Sequence, residues 1–436
     1  MPPRWALLLA LLLLTGLPAQ GQGHQAHITW DAWGVPHITA SDNISLWYAA
    51  GWAQAQLHGD LLLRLYAQGR GQAAALGGAA YLEDDLLTHR LNIPQAGADD
   101  YAAAPPEFRQ LLDAFAAGVT RYVELNPVSI DDTWAGVLPI TGADILRHGA
   151  RSLRYNFVAG QGIAAARRWQ NDQDDTPPPP PSGSNAWAIG PTRAAGGHAM
   201  LLANPHQPWA DMGLWVEMHF ITPDLNLYGA ALIGSPVINI GFNERLGWTH
   251  TVNTHDGWDL YRLRLSEDGG SYWLDGTLRP LTQREVIVQV REEDGTLRPV
   301  PLTVAASEHG PLLARREDGT ALALRVVGAN ASLATWQWWQ MGTARSLAEF
   351  EAALEPIHIP MFTIMYADVD GNILHVFNEQ IPVHASGDWA FWNNTTPVDR
   401  SRPAIIPGDD SQYIWTQFHP YRDLPRVLNP PTGWLQ

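Results

Sequence analysis

Asn171-Asp-Gln-Asp-Asp-Thr-Pro177-Pro-Pro-Pro-Pro181-Ser-Gly183-Ser184-Asn-Ala-Trp187 is the stretch on which the reading of this chain turns. Acidic residues, five consecutive prolines and a Ser-Gly pair cannot form a helix or a sheet interior. A segment of this kind serves as a plain linker, or as an exposed spacer that is easily cut. The residue that follows it decides the matter. Ser184 opens a strand-like run and has no Gly-x-Ser-x-Gly elbow around it. If the Gly183–Ser184 bond is cut, Ser184 gains a free α-amine. Such an amine titrates near ~7.7–8.0, against ~10.4 for lysine, so it is available to accept the hydroxyl's proton. One residue then supplies both nucleophile and base.

Outward from the spacer the two sides differ. His27 to Leu153 reads mostly helical, after a short strand at His27–Trp30. Ser41 is positioned to cap a helix carrying Leu46, Trp47, Trp52, Leu57 and Leu61 near the 3.6-residue period. Ala73 to Leu76 and Leu111 to Ala117 continue the helical signal. From Ser184 onward the chain reads as strands, with hairpin signals at Gly196-Gly197, Asp275-Gly276, Asp294-Gly295 and Asp370-Gly371. Helices first and strands later point to an α+β fold or a layered sandwich.

The N-terminus, Met1 to Gly23, has Arg4, then ten apolar residues from Trp5 to Leu14, then Pro18 and the small residues of Ala19-Gln-Gly21. Ten residues do not span a ~30 Å hydrocarbon core, so this reads as a secretory signal rather than an anchor. The expectation is export to the periplasm or beyond, without stable membrane insertion. The 436 residues are 46% hydrophobic and 16% charged, ample for a core and unlike a disordered chain. A formal net charge of -17 is a poor match to nucleic acid. With no cysteine there is no thiol nucleophile, Cys-bound metal or disulfide.

Several ordered motifs resemble the penicillin acylase family of N-terminal-nucleophile hydrolases. The nearest branch in resemblance contains the cephalosporin or glutaryl acylases and the acylases of acyl-homoserine lactones and lipopeptides. Before the spacer these are Trp30-Asp-x-x-Gly34-Val-Pro-His-Ile38, Gly51-Trp-Ala-Gln-Ala-Gln-Leu-His58-Gly and Arg64-Leu-Tyr-Ala-Gln-Gly69-Arg-Gly71. After it they are Ser184-Asn-x-Trp187, Asn204-Pro-His206, Thr249-His-Thr-Val252-Asn253 and Tyr366-Ala-Asp368-x-x-Gly371. The resemblance covers nearly everything after the signal. It implies a four-layer αββα sandwich, incomplete at the C-terminus. It divides the chain into a signal (1–23), a small chain (24–170), a processing spacer (171–183) and the first part of a large chain (184–436). Small and large chains would come from one precursor that cuts itself at Gly183–Ser184.

The resemblance also assigns roles. Ser184 would attack an amide carbonyl, expel an amine and form an acyl-enzyme. His206 would orient or buffer the Ser184 amine, and the backbone N–H of Val252 would be an oxyanion donor. Losing one such donor costs about 2.7–4 kcal/mol in a well-studied protease. The family's second donor is an asparagine that follows a segment like Leu424-Pro-Arg-Val-Leu-Asn-Pro-Pro-x-Gly433, and this sequence ends at Gln436. Asn393 and Asn394 come too early to match it and read as loop residues. Little or no turnover is therefore expected of residues 1–436 alone. Asn239 stands where glutaryl-specific relatives carry an arginine, and Leu214, Trp215 and Phe362 match apolar pocket positions. A neutral, hydrophobic acyl group is the expected substrate side chain. No cofactor is implied, although Asp256 and Asp259 resemble a carboxylate pair that holds a structural calcium in some relatives.

Two rivals compete with this reading. A secreted glycosidase would suit the 20 Trp, but no motif singles out a carboxylate pair. A non-catalytic remnant of an acylase would keep the motifs without cutting itself.

Overall fold

A computed structural model describes residues 23–171, 183–253, 257–328, 333–385, 387 and 405–436. Most of the signal and of the spacer, together with Asn393 and Asn394, lie outside the described residues.

Before the spacer the chain forms strands β1 (Ala26–Trp30) and β2 (Pro36–Ala40), then helices α1 (Asn43–Arg70), α2 (Ala73–Gly77), α3 (Leu82–Arg90), α4 (Ile93–Ala103), α5 (Pro106–Leu125), α6 (Asp132–Ala135) and α7 (Gly142–Ala150). A π-helical stretch, Arg151–Val158, joins α7 to α8 (Gly160–Gln170). The N-cap of α1 is Asp42, whose carboxylate accepts the Ser45 N–H at 2.7 Å. Ser41, the expected cap, donates its hydroxyl to that carboxylate instead. Asp and Ser both cap well, and the backbone turn settles which one does.

After the spacer come β3 (Asn185–Ile189), β4 (Met200–Asn204), β5 (Trp215–Thr222), β6 (Leu225–Leu232), β7 (Ile240–Asn243), β8 (Leu246–Thr251) and β9 (Trp258–Arg264). The hairpins β10 (Ser271–Leu274) with β11 (Thr277–Pro280), and β12 (Thr282–Arg291) with β13 (Leu297–Ser307), follow. They turn at the Asp-Gly pairs the sequence marks. β14 (Gly310–Arg315) and β15 (Thr320–Val326) lead to α9 (Ala334–Thr343) and α10 (Leu347–Leu354). These two helices correct the expectation of strands throughout. Trp-rich α9 has no strong amphipathic period, and its packing against β6 and β7 decides its form. The last strands are β16 (Thr363–Asp368), β17 (Ile373–Val376), β18 (Ile405–Pro407), β19 (Arg426–Leu428) and β20 (Trp434–Leu435).

A nine-stranded sheet runs β1-β2-β5-β6-β7-β8-β16-β17-β19. Its first two strands precede the spacer and the rest follow it. The seam is the parallel pairing of β2 with β5, where His37 lies opposite His219 and their Nδ1 atoms are 2.9 Å apart. One face of the sheet packs on the helices in a single core that joins Trp47 and Tyr66 of α1 to Met218, Phe220 and Ile364. Against the other face lies a three-stranded sheet, β20-β3-β4, which brings Ala186 and Ala188 onto Met365, Ala367 and Ile373. The outer face of this small sheet carries exposed Met200, Leu202 and Trp434. The described residues thus build the helix, sheet and sheet layers of the expected sandwich. A six-stranded sheet, β12-β13-β14-β15-β9-β18, flanks them.

Helices α1 and α5 cross at two glycines. A Cβ on Gly51 would sit 2.1 Å from the Phe115 carbonyl oxygen, and one on Gly118 would sit 1.9 Å from that of Tyr48. A buried ionic hub then ties the end of α1 to the start of α7. The Arg70 guanidinium holds Asp144 with two bonds of 2.7 and 2.6 Å, Arg147 adds one at 2.7 Å, and Thr141 donates its N–H and hydroxyl. Burial pushes the Asp144 carboxyl up, but the Arg70 and Thr141 bonds and the Arg70 charge outweigh it and leave it below the usual carboxylate range. Asp144→Ala removes the buried carboxylate that two half-buried guanidiniums share and is expected to cost about 3 kcal/mol of unfolding free energy, read from urea denaturation.

Three buried histidines make the fold acid-sensitive. Burial holds His148, His250 and His309 at about 4, against an ordinary value near 6.5. The folded chain keeps them neutral while the unfolded chain protonates them. Their contribution to stability is therefore present above about 6.5 and lost as pH falls towards 4. The urea midpoint is expected to drop steeply over that window. His309→Gln should flatten the slope by roughly one proton, about 1.4 kcal/mol per pH unit.

Candidate active site

Ser184 precedes β3 directly, and the β3–β4 register sets what faces it. Asn185 lies opposite Asn204, so the chain beyond Asn204 passes Ser184. The His206 backbone N–H donates to Ser184 Oγ at 3.0 Å. The His206 imidazole is turned elsewhere, with its Nε2 2.7 Å from Asn204 Oδ1. That oxygen also accepts from the Asn185 amide at 3.2 Å, so His206 Nε2 carries the proton. His206 thus meets Ser184 through its main chain. Its ring is held by Asn204, which the sequence places in the Asn204-Pro-His206 motif without a role of its own.

A cavity of about 30 Å³ opens at Ser184, bordered also by Val252, Trp215, Asn239 and Phe362. It has room for one or two water-sized groups. Five of the residues chosen from the sequence therefore meet in one place. Val252 is there because it follows the last residue of β8. Leu214 is not among the lining residues: it packs partly buried against the main core, and its neighbour Trp215 forms the wall. Asn239 is present, but its Oδ1 accepts the Leu232 N–H at 2.9 Å and braces the turn between β6 and β7. No guanidinium faces the cavity at that position.

The rest of the wall was not legible. Phe157 comes from the π-helical stretch, a geometry that recurs at functional sites, and packs edge-on against Phe362 at 5.2 Å. Trp338 of α9 donates its indole N–H to His250 Nε2 at 2.9 Å, which leaves the His250 proton on Nδ1. His250 lies two residues before Val252 in an extended run, so strand alternation could have put it on the same side. Gln207 follows His206 and adds an amide. Phe362 has φ 95°, a conformation that bulky residues avoid.

Beyond Trp215, Pro205 and Ile240, which border both spaces, lies a groove of about 980 Å³ between the three-stranded and nine-stranded sheets. Of the suggested calcium pair, Asp256 lies outside the described residues. Asp259 is buried in β9, where its Oδ2 accepts the Trp415 indole N–H at 2.7 Å. Among the described residues no three His, Asp or Glu side chains gather as a metal-holding group.

Known proteins similar to this chain are acylases by name. The acyl-homoserine lactone acylase PvdQ of Pseudomonas savastanoi pv. phaseolicola (strain 1448A / Race 6) is 32% identical over 406 residues, 84% of this chain and 52% of that protein. Penicillin acylase 2 proenzyme of Pseudomonas sp. (strain SE83) is 26% identical over 494 residues, 99% of this chain and 61% of that protein. The chain spans little more than half the length of these curated relatives. Among solved structures, thermostable penicillin G acylase from Alcaligenes faecalis superposes with a TM-score of 0.50 at 22% identity, over 58% of this chain and 43% of that one, a likeness of fold. Residues 25–436 match the family described as penicillin amidase, and the chain belongs to that family.

Proposed function

We propose that this chain carries the nucleophile of an acylase that hydrolyses the amide bond of an N-acylated small molecule, and that Ser184 is released for this work by a cut at Gly183–Ser184. The observation that carries the reading is the shared cavity, where the Ser184 side chain, Val252 and apolar walls surround one small space. Once freed, the Ser184 α-amine takes the hydroxyl proton as Oγ attacks the amide carbonyl. The Val252 N–H meets the developing oxyanion, and the leaving amine departs with the proton. Water activated by the same α-amine then releases the acid. Trp215, Phe157 and Phe362 present hydrocarbon to the acyl group, and Asn239 offers no cation, so a neutral hydrophobic acyl group fits best. The relative named an acyl-homoserine lactone acylase favours a lactone as the amine part, and the one named a proenzyme favours processing. The Met1 to Gly23 segment is proposed to direct export. No helix among the described residues is long and apolar enough to cross a membrane.

A second reading is a scaffold without turnover, and the exposed apolar face of the small sheet, with Met200, Leu202 and Trp434, favours it. Intact-mass and N-terminal analysis separates the two. The acylase reading expects a chain beginning Ser-Asn-Ala-Trp. Ser184→Ala should leave one uncut chain, and Ser184→Thr, which keeps a hydroxyl, should cut more slowly. A wild-type chain that stays whole at Gly183–Ser184 removes the proposal.

A further inference from the structure

Ile357-His-Ile-Pro-Met-Phe362 forms a strap between α10 and β16, and its last residue borders the Ser184 cavity. Both ends of the strap lie in the left-handed region, Ile357 at φ 49° and Phe362 at φ 95°. A β-branched residue and a bulky aromatic both avoid that region, so the surroundings must over-determine it.

Those surroundings are four side-chain amides. Asn253 Oδ1 accepts the Phe362 N–H at 3.0 Å, and its Nδ2 donates to the Asn378 carbonyl at 3.3 Å. Asn378 Nδ2 donates to the Ile359 carbonyl at 3.1 Å, and Gln337 Oε1 accepts the Ile359 N–H at 3.0 Å. Gln380 Nε2 donates to the Ile357 carbonyl at 2.8 Å, while its Oε1 accepts the Gly328 N–H at 2.8 Å. Asn253, Gln337 and Asn378 are buried. Among the described residues Gln337 Nε2 and Asn378 Oδ1 find no hydrogen-bond partner, but every bond the four amides do make goes to main chain, four of the six to the strap itself, and such bonds favour one arrangement over its neighbours. What this network specifies is the place of Phe362. Its ring lies 5.2 Å from Phe157 and 5.6 Å from His250, closing one wall of the cavity. Asn253 also follows Val252 directly, so one side chain clamps both that wall and the peptide beside the oxyanion donor.

We propose that Asn253 is a positioning residue: by holding the Phe362 N–H it keeps the ring in the cavity wall, and so limits the length of acyl group that the site admits. The inference rests on the acylase reading of the cavity. Without the bond, Phe362 is free to leave its positive φ, the ring withdraws, and a longer acyl chain fits.

The test uses the full chain and free acids as probes. Acetate, hexanoate and phenylacetate are titrated against the fluorescence of the protein, whose Trp215 and Trp338 line the cavity. Wild type should favour acetate over hexanoate, since about 30 Å³ admits only one or two water-sized groups. Asn253→Ala should shrink that preference by about tenfold, within what pocket methylenes are worth. It should also speed hydrogen exchange at the strap while leaving β5 and β6 protected. Asn253→Asp, which keeps an acceptor for the Phe362 N–H, should recover part of the preference. Phe362→Ala, which removes the ring directly, should reproduce the loss and stands in if Asn253→Ala does not fold. Faster exchange with an unchanged preference would overturn the proposal, since Asn253 would then be structural only. Unchanged exchange would overturn it too. A wild type that binds none of the acids defeats the acylase reading itself, a result distinct from wild-type binding that the variants fail to shift.

Discussion

The non-covalent union of the two halves across the spacer is the constraint on which the rest depends. If the chain is cut between Gly183 and Ser184, as proposed, it must hold together without the link. The solution is a shared core rather than a docking of two finished parts. β1 and β2 complete a sheet whose other seven strands follow the spacer. α1 buries Trp47 and Tyr66 in the same cluster as Phe220 and Ile364. The largest core cluster is shared, with each half supplying one side of it, while smaller clusters such as the one around Tyr261 and Leu263 belong to the later half alone. Dissociation would expose large apolar area from both, at about 25 cal/mol for each Å².

That shared core also builds the site. Ser184 and Val252 come from the later half, Phe157 from the earlier one, and the cavity exists only where they meet. Ser184 sits directly before β3, whose pairing with β4 holds the chain that follows it. The wall opposite is of another kind. Phe362 is in a conformation that its own backbone disfavours, kept there by side chains whose bonds all go to main-chain groups. Strain of this sort persists near functional sites because placement there matters more than local comfort.

Electrostatics plays a structural part in this acidic protein. The Asp144 hub joins α1 to α7, and its arginines come from both helices. The buried histidines are neutral and pack as aromatic rings: His250 lies against Trp338 and Phe362, and His309 against Tyr261. Acid acts on all three as charge forced into an apolar interior.

What the sequence by itself determined is what neighbouring residues decide. The proline run ends at a serine because no regular element can pass through it, and the Asp-Gly pairs turn hairpins because Gly276 and Gly295 take positive φ. The helical period of α1 and the motifs around Ser184, Asn204 and Val252 are equally local. The sequence therefore named five of the twelve residues that meet at the cavity. It left out Phe157, Trp338 and His250, misplaced Leu214, and took α9 and α10 for strand. Those depend on which way a π-helical turn faces, on which side of β5 a residue points, and on a helix choosing its form by what it covers. His250 was within reach of strand alternation from Val252, but only tertiary structure could decide the others, because each rests on contacts between segments far apart in the chain.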